Sequence, residues 1–149
     1  MERQESRMSI IAQLVTSFIS TAAIAVIFNS PVRSLIKCGL VGMIGWVFYL
    51  ITLKITEDTV VASLAASVVV GIVSQTCARI YKTPIIIFNV AGIIPLVPGG
   101  LAYNAMRHFV EEDYDHAAQF AGEALMISGS IALGLLITEV LNQLIKKVL

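Results

Sequence analysis

The chain has 149 residues, of which 57% are hydrophobic and 13% charged, and its formal net charge is zero. A soluble domain has about 25% charged residues, so this chain carries about half of the charge that a water-facing surface requires. The composition excludes an ordinary soluble domain, a disordered chain and a nucleic-acid-binding protein, and it indicates an integral membrane protein.

Stretches without charged residues predict where the chain crosses the membrane. A hydrocarbon core about 30 Å thick needs roughly 20 apolar residues in a helix. The first stretch ends at Asn29-Ser30-Pro31, because the residue before a proline is disfavoured in a helix. We therefore predict an all-α membrane protein of one domain, residues 1–149, with about five transmembrane helices, the fourth of them broken. The predicted spans are residues 8–28, 35–55, 59–78, 84–106 and 118–145.

The loops between the predicted spans alternate in charge, which bears on orientation. One set of loops is basic and the other is on balance acidic, and basic loops stay in the cytoplasm. We therefore predict a multi-pass protein of the plasma membrane with its N-terminus outside and its C-terminus in the cytoplasm. The basic loops contain Arg33, Lys37, Arg79, Lys82, Lys146 and Lys147, and the most acidic loop contains Glu111, Glu112, Asp113 and Asp115.

Two predicted helices carry small residues at helical spacing. Such faces let helix backbones approach each other closely in lipid, where burial of apolar area no longer drives association. Packing within the chain and contact with a second subunit both fit this pattern, and we expect any contact with a second chain at these faces. The residues are Gly39, Gly42 and Gly45 in the second helix, and Ser63, Ser67 and Gly71 in the third.

The fourth segment contains two prolines followed by two glycines, at Pro95, Pro98, Gly99 and Gly100. A proline removes one backbone donor, so Pro95 and Pro98 predict free carbonyl groups four residues before each of them, at Ala91 and Ile94. Unpaired backbone groups at this depth are tolerated only inside protein or along a wet cavity.

A helix broken near the bilayer midplane presents backbone amides and the positive end of a helix dipole, which suits a carboxylate. A proline kink with only a packing role is the alternative. The residues predicted to bind substrate are Pro95, Pro98, Gly99, Gly100, Tyr103 and Asn104.

Three ionisable residues near the last two spans are candidates for a proton or substrate relay: Arg107, Glu123 and Glu139. A position near the membrane surface is the alternative for Arg107 and Glu139. The acidic loop with His108 and His116 fits a solvated connection better than a metal site, so we predict no metal and no cofactor. No arrangement of nucleophile and base at membrane depth indicates an enzyme.

Residues 93–106 read IIPLVPGGLAYNAM, and this block resembles the signature of the threonine/serine exporter family. The likeness is to a branch whose short chains supply only the C-terminal membrane half. Residues 28–33, FNSPVR, followed by Cys38, Gly42 and Trp46, resemble the first loop and second helix of that branch. The resemblance implies a membrane subunit of a secondary exporter that moves threonine and serine out of the cell together with a larger partner subunit.

Without the resemblance, the residues indicate a transport subunit whose broken helix is suited to binding an anionic group. Alternatives are an exporter subunit for other small carboxylates, such as dicarboxylates, and a membrane scaffold that transports nothing. Because the block at residues 95–100 occurs once, a second half of the transporter must come from a different chain or from another copy of this one.

Overall fold

A computed structural model of the chain describes residues 2–148, without the side chains of residues 2–9, 33, 146 and 148. The predicted basic residues Arg33 and Lys146 are therefore outside the described side chains. Within residues 2–148 the chain forms six α-helices and one turn of 3-10 helix. They are α1 (Glu2–Ile27), α2 (Val32–Thr56), α3 (Thr59–Tyr81), α4 (Ile85–Ile93), the 3-10 turn (Ile94–Leu96), α5 (Gly99–Val110) and α6 (Tyr114–Val148).

Four of these helices, α1, α2, α3 and α6, are long and apolar enough to cross a membrane. A fifth crossing is made if α4, the 3-10 turn and α5 count as one span, and the two parts of that span are bent by 55°. The prediction of an all-α membrane protein with a broken fourth segment is confirmed. The helices α1 and α6 extend beyond the predicted spans, because charged residues end a hydrophobic stretch without ending a helix.

The connections between the first helices are short. Only Glu57 and Asp58 separate α2 from α3, and Glu57 has the left-handed backbone conformation that ends a helix, with φ of 56°. The Asp58 side chain then accepts a hydrogen bond from the amide of Val60 at 2.8 Å and caps the start of α3. This tight turn makes α2 and α3 antiparallel neighbours.

The helices α3 and α6 run in the same direction. Gly71 on α3 packs against Thr138 on α6, and four residues earlier on each helix Ser67 packs against Gly134. The chain must therefore return from the end of α3 to the other end of the bundle before α6 begins. The α4–α5 pair makes this return, which is the behaviour of one broken span and not of a re-entrant loop.

The small-residue faces lie inside this chain. A Cβ atom at Gly42 would overlap the side chain of Thr21 on α1, and one at Gly45 would overlap Val70 on α3. The expectation that these faces contact a second chain is wrong, because glycine and serine let the chain's own helices approach closely and bury them there. The buried residues are Gly39, Gly42, Gly45, Ser63, Ser67 and Gly71.

Candidate functional site at the broken helix

The break between α4 and α5 is a tightened turn of helix. The carbonyl of Ala91 accepts a hydrogen bond from the amide of Ile94, and the carbonyl of Ile94 accepts one from Val97 at 3.2 Å. The sequence-based expectation of two free carbonyl groups is therefore wrong. In the 3-10 turn each carbonyl accepts from the residue three positions later, because the residue four positions later is a proline without an N–H donor.

The first amides of α5 are less well paired. Pro98 is the N-cap residue and provides no side-chain hydrogen bond to the helix. Gly99 and Gly100 are exposed, and a Cβ atom at either would meet no described atom within 4 Å. The amide of Gly99 already donates to the carbonyl of Val97 at 2.8 Å, so the Gly100 amide is the donor left open to a ligand at this end of α5.

A cleft of about 220 Å³, most of whose lining residues are polar, includes one residue of the break in its wall. Pro95 reaches it from the 3-10 turn, and Trp46 reaches it from near the middle of α2. The cleft therefore lies at about half the height of the bundle, near the level expected for the bilayer midplane. Its lining residues are Gln13, Thr16, Ser17, Ser20, Trp46 and Pro95.

The polar groups of the cleft are held by the chain itself. The Trp46 indole Nε1 donates to Gln13 Oε1 at 3.4 Å, Ser17 Oγ donates to the carbonyl of Gly42 at 3.3 Å, and Thr16 Oγ1 donates to the carbonyl of Ala12 at 2.9 Å. These bonds use the hydroxyl protons and leave oxygen lone pairs and the amide N–H groups of Gln13. Such groups can bind an ammonium or hydroxyl group, and the lining includes no charged side chain.

The polar stripe on α1 is the part of the site that the sequence analysis missed. Four lining residues, Gln13, Thr16, Ser17 and Ser20, lie on one face of α1, followed on the same face by the buried Thr21. Their spacing of three and four residues is the signal that could have revealed them, since it places them on one face of a helix. In an otherwise apolar helix, such a polar face indicates that the helix contacts polar groups or water on that side.

The six residues predicted to bind substrate are not brought into one cluster. Pro95 lines the cleft, whereas the others follow on the far side of the break. The 55° bend directs α5 toward α6, against which it packs. Pro98 and Asn104 are half-buried, Gly99 and Gly100 are exposed, and the side chain of Tyr103 is 68% exposed.

The three relay candidates also lie apart. Arg107 is exposed on α5, and its Nε forms an ion pair with Glu111 Oε1 at 3.0 Å. Glu123 is exposed on α6. Glu139 is half-buried further along α6, where it lines a second cavity between α3 and α6.

The two histidines of the acidic loop share one carboxylate. Asp113 Oδ2 lies 2.8 Å from His116 Nδ1 and 3.3 Å from His108 Nδ1. The hydrogen bond with His116 lowers the pKa of Asp113 below its ordinary value. Across the described part of the chain, no three His, Cys, Asp or Glu side chains are grouped in a way that could hold a metal ion.

The family model described as "Threonine/Serine exporter, ThrE" matches residues 13–141, which include the α1 stripe, the broken helix and most of α6. No solved structure matches the chain.

Proposed function

The chain belongs to the threonine/serine exporter family, and we propose that it is a membrane subunit of a secondary exporter of small amino acids, threonine and serine in particular. The observation that carries the proposal is the cleft between α1, α2 and Pro95 of the broken helix. Transporters of this general kind bind their substrates near the midplane, where discontinuous helices expose backbone groups.

The cleft and the start of α5, on the two sides of the break, offer different groups to an amino acid. The free lone pairs of Thr16 and Ser20 and the carboxamide of Gln13 can bind an ammonium or hydroxyl group. The amide of Gly100, at the start of α5 where no side chain caps the helix, can bind a carboxylate. Pro95 and Pro98 lack backbone N–H donors, so they prevent α4 and α5 from joining into one regular helix.

A second membrane chain completes the cleft in this proposal. Thr16 and Ser20 are exposed on α1, and their hydroxyls donate to carbonyls of their own helix, so in lipid only their acceptor lone pairs would lack partners. A polar helix of another chain would cover them. We place the contact at α1, with the larger subunit of the same family as partner and a second copy of this chain as the alternative.

Flux in liposomes tests this proposal. The purified chain is reconstituted alone and together with the larger subunit, and the efflux of threonine, serine and a C4 dicarboxylate is measured. We expect saturable threonine efflux only from the pair. Robust transport by the chain alone would contradict the partner role, and dicarboxylate efflux without amino-acid efflux would contradict the proposed cargo.

A matched pair of variants separates the cleft from general stability. Thr16→Leu should abolish efflux, because leucine fills the cleft and removes an oxygen. Thr76→Leu is the control: Thr76 is also an exposed threonine bonded to its own helix, with Oγ1 2.9 Å from the carbonyl of Ile72, but it lies on α3 away from the cleft. Equal losses in the two variants would contradict a binding role for the cleft.

A further inference from the structure

A second polar cavity, of about 290 Å³, lies between α3, α6 and the start of α4. Arg79 lies in the last turn of α3, and Ile85 is the first residue of α4, so the cavity is at one end of the bundle. It shares no lining residue with the midplane cleft. The lining residues are Gln75, Ala78, Arg79, Ile85, Glu139 and Asn142.

Two opposite charges face this cavity without pairing with each other. Arg79 comes from α3 and Glu139 from α6, yet the ion pairs among the described side chains all lie within residues 107–116. Arg79 is exposed at the end of α3, whereas Glu139 is half-buried on α6, where an ionisable side chain is costly and is usually paired or functional. An α-amino acid has both a carboxylate and an ammonium group and could pair with both at once.

The surrounding amides hold the two charges in place and leave donors and acceptors free. Arg79 Nη2 donates to Oδ1 of the buried Asn142, which leaves the other guanidinium N–H groups available for a carboxylate. Glu139 Oε1 accepts from Gln143 Nε2 at 3.1 Å, which leaves its second oxygen. Gln75 Nε2 donates to the carbonyl of Thr138 at 2.9 Å, so its oxygen remains as an acceptor.

We propose that this cavity is a second binding site for a small zwitterionic amino acid, at one end of the transport path. Arg79 binds its carboxylate and Glu139 binds its ammonium group. The volume is just below the roughly 300–1,000 Å³ typical of small-molecule sites, which favours a small ligand. The assignment rests on the proposed function, which makes amino acids the cargo.

Protection from cysteine labelling tests the site directly. Cys38 and Cys77 are replaced by alanine, and Ala78→Cys places a single thiol in the cavity wall. The full chain in membrane vesicles, together with the larger subunit, is labelled with a small thiol reagent with and without L-threonine. We expect threonine to slow the labelling of Cys at position 78, whereas N-acetylthreonine and threonine methyl ester, which each lack one charge, should not.

Charge variants identify the groups responsible. Arg79→Gln and Glu139→Gln should each raise the threonine concentration for half-protection about tenfold or more, because each removes one charge-assisted hydrogen bond. Lys82→Gln is the matched control: it removes a positive charge just beyond the same helix, outside the cavity. An effect of Lys82→Gln as large as that of Arg79→Gln would overturn the proposal in favour of a general field effect.

Threonine efflux distinguishes the failure of this proposal from the failure of the proposed function. Efflux by the native chain together with the larger subunit is measured in the same vesicles. Efflux without protection at position 78 would overturn the second site and leave the exporter function standing. The absence of both protection and efflux would overturn both proposals.

Discussion

Gly71 on α3 lies directly against Thr138 on α6, so close that a Cβ atom added at Gly71 would be 2.8 Å from Thr138 Oγ1. Thr138 Oγ1 in turn donates to the carbonyl of Gly134, at 2.8 Å, in the preceding turn of α6. This contact and the one between Ser67 and Gly134 hold α3 and α6 parallel. The parallel direction is what makes the α4–α5 pair a crossing.

The first prediction concerns this contact. Gly71→Ala should lower the free energy of unfolding by about 1–3 kcal/mol, the usual cost of overpacking, because α3 and α6 would have to separate. Unfolding of the purified protein in detergent measures the change. Gly129→Ala on α6 is the control, since a Cβ atom there meets no described atom within 4 Å. Equal destabilisation by both variants would contradict the close packing.

The second prediction concerns the break. The double variant Pro95→Ala, Pro98→Ala should restore regular helical hydrogen bonding and abolish threonine efflux while the protein still inserts in the membrane. The cleft would then lose the wall that the 3-10 turn provides. Pro84→Ala, at the exposed start of α4, is the control and should retain efflux. Full efflux by the double variant would reduce the break to a packing kink.

The third prediction concerns orientation. A cysteine placed at Asp115, in a chain without Cys38 and Cys77, should react with an impermeant thiol reagent in intact cells. The reason is that the basic loops are expected in the cytoplasm, which places the start of α6 outside. A cysteine at Lys82, at the other end of the bundle, should be protected until the cells are opened. Labelling at position 82 and protection at position 115 in intact cells would show that the protein has the opposite orientation.

The fourth prediction concerns pH. The hydrogen bond from His116 lowers the pKa of Asp113 in the folded protein. Its contribution to stability is therefore present above the ordinary carboxyl pKa of 3.8 and is lost as the pH falls through the lower folded value. We expect the turn between α5 and α6 to open under these acidic conditions, which proteolysis with an acid-active protease would detect.

Asp113→Asn isolates this effect, because the amide lacks the charge that the histidines share. The variant should show the increased cleavage of the turn at neutral pH as well, with little further change on acidification. Asp115→Asn, in the same segment, controls for the loss of one negative charge. If the turn of the Asp113→Asn variant resists proteolysis as well as the native turn does, the stabilising role of the Asp113–His116 pair is contradicted.

The membrane class, the helical fold and the position of the break could be predicted from the sequence. Charge-free length limits what can cross a bilayer, and a proline lacks a donor wherever it lies in a helix. The block at residues 95–100 therefore predicted the broken helix. The resemblance of residues 93–106 to the threonine/serine exporter family is confirmed by the match over residues 13–141. These are local properties, so no knowledge of neighbouring helices was needed.

Only the tertiary structure decided what each helix face contacts. The glycine faces would fit a second chain or this one, and the fold places Gly42 against Thr21 and Gly71 against Thr138. The same is true of Pro95, which meets the polar stripe of α1, and of Arg79, which shares a cavity with Glu139. Such pairings join residues far apart in the chain, and they depend on how all the helices pack together rather than on any one segment.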